Sequence, residues 1–189
     1  MSARESILGR IRALNIPDQP LPAMPVTPPF GDLSAFLMKS FEKNLCTVLE
    51  ATAETLDAVI RAAHPQAGEI YSTVLGVTGN ILYDPSVGPA MLGNLDLAVV
   101  RAEFAVAENG ALWIGRDDLQ VPAACFIGSA LAVVLDRSQV VADMHAAYER
   151  VKFDRPFGVF IAGPSRTADI EQSLVIGAHG PLSMTVVLV

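Results

Sequence analysis

The chain has 189 residues and a formal net charge of −7; 51% of its residues are hydrophobic and 17% are charged. That length suits one domain able to bury its own core, and the apolar content excludes disorder over most of it. The acidic balance argues against a nucleic-acid partner, and no apolar run approaches the roughly 20 residues that cross a bilayer.

Taken in chain order, Ser2–Leu14 reads as an amphipathic helix, with Ile7, Ile11 and Leu14 at i, i+4 and i+7 and Leu8 beside them. Arg4, Glu5, Arg10 and Arg12 interrupt its apolar residues, so it lacks the core of a secretory signal. A soluble, cytoplasmic protein is expected. Asn15–Gly31 then holds six of the thirteen prolines. Each fixes φ and removes an N–H, so this stretch reads as an extended arm that wraps its own domain or a partner subunit.

The globular body is expected over 32–189. Asp32 is a possible N-cap for a helix striped by Leu33, Phe36, Leu37, Phe41 and Leu45. Thr47–Leu49 is a short strand, and Leu56, Val59, Ile60 and Ala63 mark a helix ending before Pro65. Glu69–Leu75 reads as a strand and Gly76–Pro89 as mostly loop. Leu97–Val100, Phe104–Ala107 and Ala111–Ile114 are three strands, with Asn109-Gly110 a hairpin turn between the last two. Ala130–Leu135 is a buried strand. Ser138 can cap a helix whose apolar positions are Val141, Met144, Tyr148 and Val151, before buried strands at Phe157–Ala162 and Met184–Val189. The pattern indicates an α/β fold: a single domain with a mostly parallel sheet, helices on both faces and an added antiparallel hairpin. Short continuous apolar runs fit strands covered on both faces.

Cys46 and Cys125 lie far apart and form no zinc or iron–sulfur spacing, so they read as small buried hydrophobes. His64, His145 and His179 share no ligand spacing, and no metal is expected.

The most distinctive segment is Gly163-Pro164-Ser165-Arg166-Thr167-Ala168-Asp169-Ile170-Glu171, followed by Gly177-Ala178-His179-Gly180-Pro181. It follows an apolar strand, and ligands of open α/β sheets sit at the carboxyl ends of strands. Small polar residues there offer N–H and hydroxyl groups to an anion, and Arg166 can add a bidentate contact. The competing structural reading is a loop and a helix capped by Thr167, with Asp169 and Glu171 in its first turn. His179, set between two glycines, is either a general acid or base or a residue that holds the turn. Glu108, before the Asn109-Gly110 turn, is either a nucleophile or base or a solvent-facing hairpin residue. Arg101 and Glu103 stand close enough in sequence to pair. The Gly76-Val77-Thr78-Gly79-Asn80 loop is a weak candidate for ligand approach and carries no nucleotide fingerprint.

Gly163–Glu171, Leu174-Val175 and Gly177–Pro181 together resemble the signature of the LUD domain family, lactate-utilisation protein C type. The N-terminal helix with its Pro-rich stretch, and Phe104–Gly110, are similar to that family too. The chain departs from it at Val100-Arg101-Ala102-Glu103, where Thr-Gly-Ala is usual. It departs again at Asn109, where Thr is usual, and at Val121-Pro122-Ala123-Ala124-Cys125, which lacks a histidine. The resemblance implies a fold like glucosamine-phosphate isomerase, ribose-phosphate isomerase and the CoA transferases. It also implies a part in oxidising L-lactate to pyruvate within a three-component system. There the iron–sulfur clusters sit on partner proteins, and this chain, with two isolated cysteines, holds no cofactor of its own. The candidate site is then Glu108 and His179 as catalytic groups, with Gly163, Ser165, Arg166, Thr167, Asp169, Glu171, Gly177 and Gly180 as ligand contacts. Three readings follow: a subunit of a lactate-oxidising complex, with a homodimer as one form open to it; a stand-alone binder or enzyme for a sugar phosphate, CoA ester or other small anion; or a strand–turn–helix with no ligand.

Overall fold

The computed structural model describes residues 2–14, 20, 31–115, 119–151, 157–167 and 175–189. Most of the proline-rich stretch therefore lies outside the described residues, as does the helix expected after Thr167.

Helix α1 (Ala3–Arg12) opens with a capping box, in which Glu5 N donates to Ser2 Oγ at 3.2 Å and Ser2 N to Glu5 Oε2 at 2.7 Å. None of its residues is buried. Asp32 caps α2 (Leu33–Lys43), accepting from Ser34 N at 3.0 Å and Ala35 N at 3.2 Å. Leu37, Ser40 and Phe41 form the buried side of α2. The chain turns at Leu45, whose φ is 61°, and enters β1 (Thr47–Glu50).

Strand β1 leads through α3 (Leu56–Ala63) to β2 (Ile70–Ser72), then β3 (Leu97–Ala102), β6 (Ala130–Leu135) and β11 (Ser183–Leu188). These five strands form one parallel sheet in the order β1-β11-β6-β3-β2. The chain thus crosses from one edge to the other after β1 and returns strand by strand. Alternate residues face opposite sides. Leu97, Val99, Ala132, Val134 and Val187 pack with Leu56 and Ile60 of α3. Ala98, Val100, Leu131, Val133, Leu135, Met184 and Val186 face the other way, toward Leu37 and Phe41 of α2. Burial on both sides is why these strands are continuous apolar runs.

That second face also meets a smaller sheet. Strands β4 (Phe104–Val106) and β5 (Ala111–Gly115) pair antiparallel across the Asn109-Gly110 turn, flanked by β7 (Val140–Val141) and β8 (Gly158–Ile161) in the order β7-β4-β5-β8. Ala105, Leu112 and Ile114 join the central core, as do Ala124 and Cys125 of α4 (Ala124–Ile127). Phe104, Trp113 and Phe160 form the outer side with Ala147 of α5 (Met144–Arg150). The Trp113 and Phe160 rings lie 4.6 Å apart, and the Arg150 guanidinium lies 4.8 Å over Phe104.

Three sequence expectations are corrected. Ser138 caps no helix: its N and Oγ both bond Asp136 Oδ1, at 2.8 and 2.7 Å, closing a turn. Val140 and Val141 extend the smaller sheet instead, and α5 begins later, where Asp143 accepts from Ala146 N at 2.8 Å. The run Phe157–Ala162 yields β8, a half-buried outer strand of the smaller sheet rather than a buried one. Glu69–Leu75 shortens to Ile70–Ser72. Among the described residues no helix is long and apolar enough to cross a membrane.

Candidate functional site

Gly163 follows β8 with φ at 86°, and a Cβ there would stand 2.4 Å from Asn44 O. Only glycine accepts both the left-handed backbone and that approach. The next turns of chain are knitted together by Ser165. Its N donates to Pro181 O at 2.9 Å, its O accepts from Gly177 N at 2.8 Å, and its Oγ accepts from His179 N at 3.4 Å. A short antiparallel ladder continues the join, β9 (Arg166–Thr167) against β10 (Val175–Ile176). Gly177 is left-handed at φ 81°, and a Cβ on Gly180 would come within 3.1 Å of Ser165 Cβ.

The structure therefore brings Gly163, Ser165, Arg166, Thr167, Gly177, His179 and Gly180 into one clasp. Asp169 and Glu171 lie outside the described residues. The clasp sits where β1, β6 and β11 begin, since Leu182 N donates to Ser129 O at 2.8 Å just before β6 and β11 start. The expectation drawn from carboxyl ends of parallel strands does not apply, because β8 belongs to the smaller sheet.

Glu108 is tied elsewhere. Its Oε2 accepts from Met144 N at 3.0 Å and its own N donates to Ala142 O at 3.0 Å, so an exposed carboxylate sits against the first turn of α5. The Gly76–Asn80 loop is likewise engaged with its own neighbours. Thr78 N donates to Asp57 Oδ1 at 3.0 Å, Arg61 Nη2 to Thr78 O at 2.6 Å, and Asn80 Nδ2 to Gly68 O at 2.6 Å. The Asp57 carboxyl is held below its ordinary pKa, chiefly by its hydrogen bond from Arg61.

Sequence reasoning missed Asn44. Its Nδ2 donates to Asn109 O at 2.6 Å, and its Oδ1 accepts from Arg166 Nη2 at 3.4 Å. With Gly163 against its carbonyl, Asn44 links the end of α2, the β4–β5 turn and the clasp. A helix-ending Asn signals only a stop, and these contacts span 65 and 122 residues. Beside it, Ser40 Oγ donates to Ala107 O at 2.7 Å inside the core.

Two residues on, the Cys46 thiol is pushed up to about 11, by burial foremost and with Arg166 opposing. Burial raises Cys125 to about 12. Both thiols are protonated at neutral pH and pack as hydrophobes. Among the described residues no three His, Cys, Asp or Glu side chains gather as a metal site.

The chemistry on offer is an exposed guanidinium, Arg166, with the Thr167 hydroxyl and the exposed His179 ring on adjoining turns. Such a group suits a carboxylate or phosphate held by side chains. The amides of Ser165, Gly177 and His179 are spent inside the clasp, which weakens the case for a backbone cradle there.

The LUD domain profile matches residues 90–189, just over half of the chain. Lactate utilization protein C of Oceanobacillus iheyensis is 24% identical over 118 residues, 57% of this chain and 51% of that protein. The protein of that name from Geobacillus thermodenitrificans is 29% identical over 124 residues, 62% of this chain and 51% of that protein. The chain spans about half the length of these relatives. A crystal structure of a DUF162 family protein from Deinococcus radiodurans shares the fold, with a TM-score of 0.60, 18% identity, 85% of this chain covered and 99% of that chain. The profile match includes β3 to β6, the clasp and β11, and on that ground the chain belongs to the LUD domain family.

Proposed function

We propose that this chain is a cluster-free accessory subunit of a cytoplasmic system that oxidises L-lactate to pyruvate. The observation that carries the reading is the family match over the clasp, together with relatives named lactate utilization protein C. Lactate oxidation releases two electrons, which need an acceptor. A cluster needs about four thiolates, whereas this chain has two cysteines, both protonated by burial. The electron-carrying iron–sulfur clusters are therefore assigned to partner proteins. In this reading Arg166, Thr167 and His179 meet a small carboxylate or the partner's surface.

Purifying the tagged full chain anaerobically from lactate-grown cells tests this. Iron and acid-labile sulfide in the co-purifying fraction are expected. A preparation free of both overturns the assignment.

A second reading, a stand-alone binder of a sugar phosphate, CoA ester or other small anion, is favoured by the exposure of Arg166. The internally bonded amides count against it. A thermal shift by such an anion, removed by Arg166→Ala, would favour this second reading over the first.

A further inference from the structure

A cleft of about 300 Å³ opens at the amino ends of β3 and β6, beside the end of α3. It is lined by His64, Pro65 and Gln66 after α3, Asp96 before β3, and Ser129 and Ala130 where β6 begins. The size suits a small molecule. Backbone bonds hold the walls in place. Ala67 N donates to His64 O at 3.1 Å, Ala130 N to Asp96 O at 2.8 Å and Ser129 N to Leu95 O at 3.0 Å.

The charge in this cleft is of one sign. Asp96 Oδ2 accepts from Gly68 N and Glu69 N, both at 2.8 Å. These amides, that of Glu69 foremost, hold the carboxyl below its ordinary pKa, so it is ionised at neutral pH. Its Oδ1 takes no bond among the described residues. His64 adds no charge at that pH: its Nε2 lies 3.1 Å from the buried Thr185 Oγ1, and burial holds its pKa below 6.5. Arg61, the one basic residue of α3, is spent on Asp57 and on Thr78 O. Among the described residues no Lys or Arg lines the cleft. The Ser129 hydroxyl and the Gln66 side-chain carbonyl are two further acceptors not used within the described residues.

An anion would meet the Asp96 carboxylate with no cation to offset it. A neutral alcohol has one donor to offer, and its bond to the carboxylate lacks the help of a second charge. An ammonium group has three donors and no acceptor, which matches one charged and two neutral oxygens. We propose that this cleft binds a small protonated amine, its ammonium on Asp96 Oδ1, Ser129 Oγ and Gln66 Oε1 and its carbon chain against Pro65 and Ala130.

The test is titration of the isotope-labelled full chain with n-butylammonium chloride at neutral pH, followed by amide chemical shifts. n-Butanol and sodium butyrate serve as the neutral and anionic compounds of the same chain length. Saturable shifts at Gly68, Glu69 and Ser129 are expected with the amine alone. Asp96→Asn keeps a carbonyl for the two amides and removes the charge, so it should weaken the amine about 10-fold or more. Gln66→Leu, at an exposed position, should weaken it severalfold, and the near-ultraviolet signal of Trp113 reports that both variants stay folded. The proposal is overturned by the absence of saturable shifts with the amine, by equal shifts with n-butanol or butyrate, or by amine binding that survives Asp96→Asn.

Discussion

The side-chain amide of Asn44 donates to the carbonyl of Asn109 at 2.6 Å, joining the end of α2 to the β4–β5 turn. The other end of the same amide meets Arg166, so one side chain fixes two parts of the site. Asn44→Ala is expected to lower the unfolding free energy by about 1 kcal/mol, the usual worth of such a bond. Ser40→Ala removes the buried bond to Ala107 O and should cost ~1–2 kcal/mol. Urea denaturation measures both. Only Asn44→Ala should also alter any function that depends on Arg166.

The glycines of the clasp differ in what they tolerate. Gly163→Ala meets the Asn44 carbonyl, 2.4 Å from the new Cβ, in a left-handed backbone. Backbone cannot step aside cheaply, and a loss of at least about 2 kcal/mol is expected. Gly177→Ala meets the Leu182 Cδ2 at 2.2 Å, the end of a flexible and exposed side chain. Its Cγ stands 2.9 Å away as well, so the whole side chain must turn about χ1, leaving mainly the backbone strain of ~1–2 kcal/mol. The order of the two urea midpoints checks the argument.

Much of the fold was legible because local chemistry and burial agree. Asp32 with the Leu37–Phe41 stripe specified α2, and strands covered on both faces announced themselves as apolar runs. The placement of β8 was not legible, since Phe157–Ala162 reads alike at a sheet centre or edge. Val140–Val141 fits either a helical or a strand period, and pairing with β4 decided it. In the site, the two Gly-rich turns could be seen in the sequence, but not the Ser165 bonds that join them. Asn44 was invisible because its partners lie far along the chain.

The thiols should react slowly with iodoacetamide at neutral pH, Cys125 more slowly than Cys46, because their pKa values stand at about 12 and about 11. Arg166 lowers the Cys46 value. Arg166→Ala should therefore slow Cys46 alkylation further and leave Cys125 unchanged, as read by mass spectrometry. Faster alkylation of Cys46 in that variant would contradict the electrostatic link.

His64 Nε2 lies 3.1 Å from the buried hydroxyl of Thr185, and burial holds the imidazole pKa below its ordinary 6.5. The unfolded chain therefore binds the proton more readily in that interval. Stability is full above about pH 6.5 and falls as pH drops toward the folded value. Melting temperatures at pH 7 and pH 5 should differ more for the native chain than for His64→Gln. An equal difference would remove His64 as the cause.

The measurement that bears most directly on lactate utilisation is growth of the source organism on L-lactate after deletion of this chain. Growth on L-lactate should be lost while growth on pyruvate persists, and the native chain should restore it where Gly163→Ala does not. Normal growth of the deletion strain on L-lactate would contradict the account.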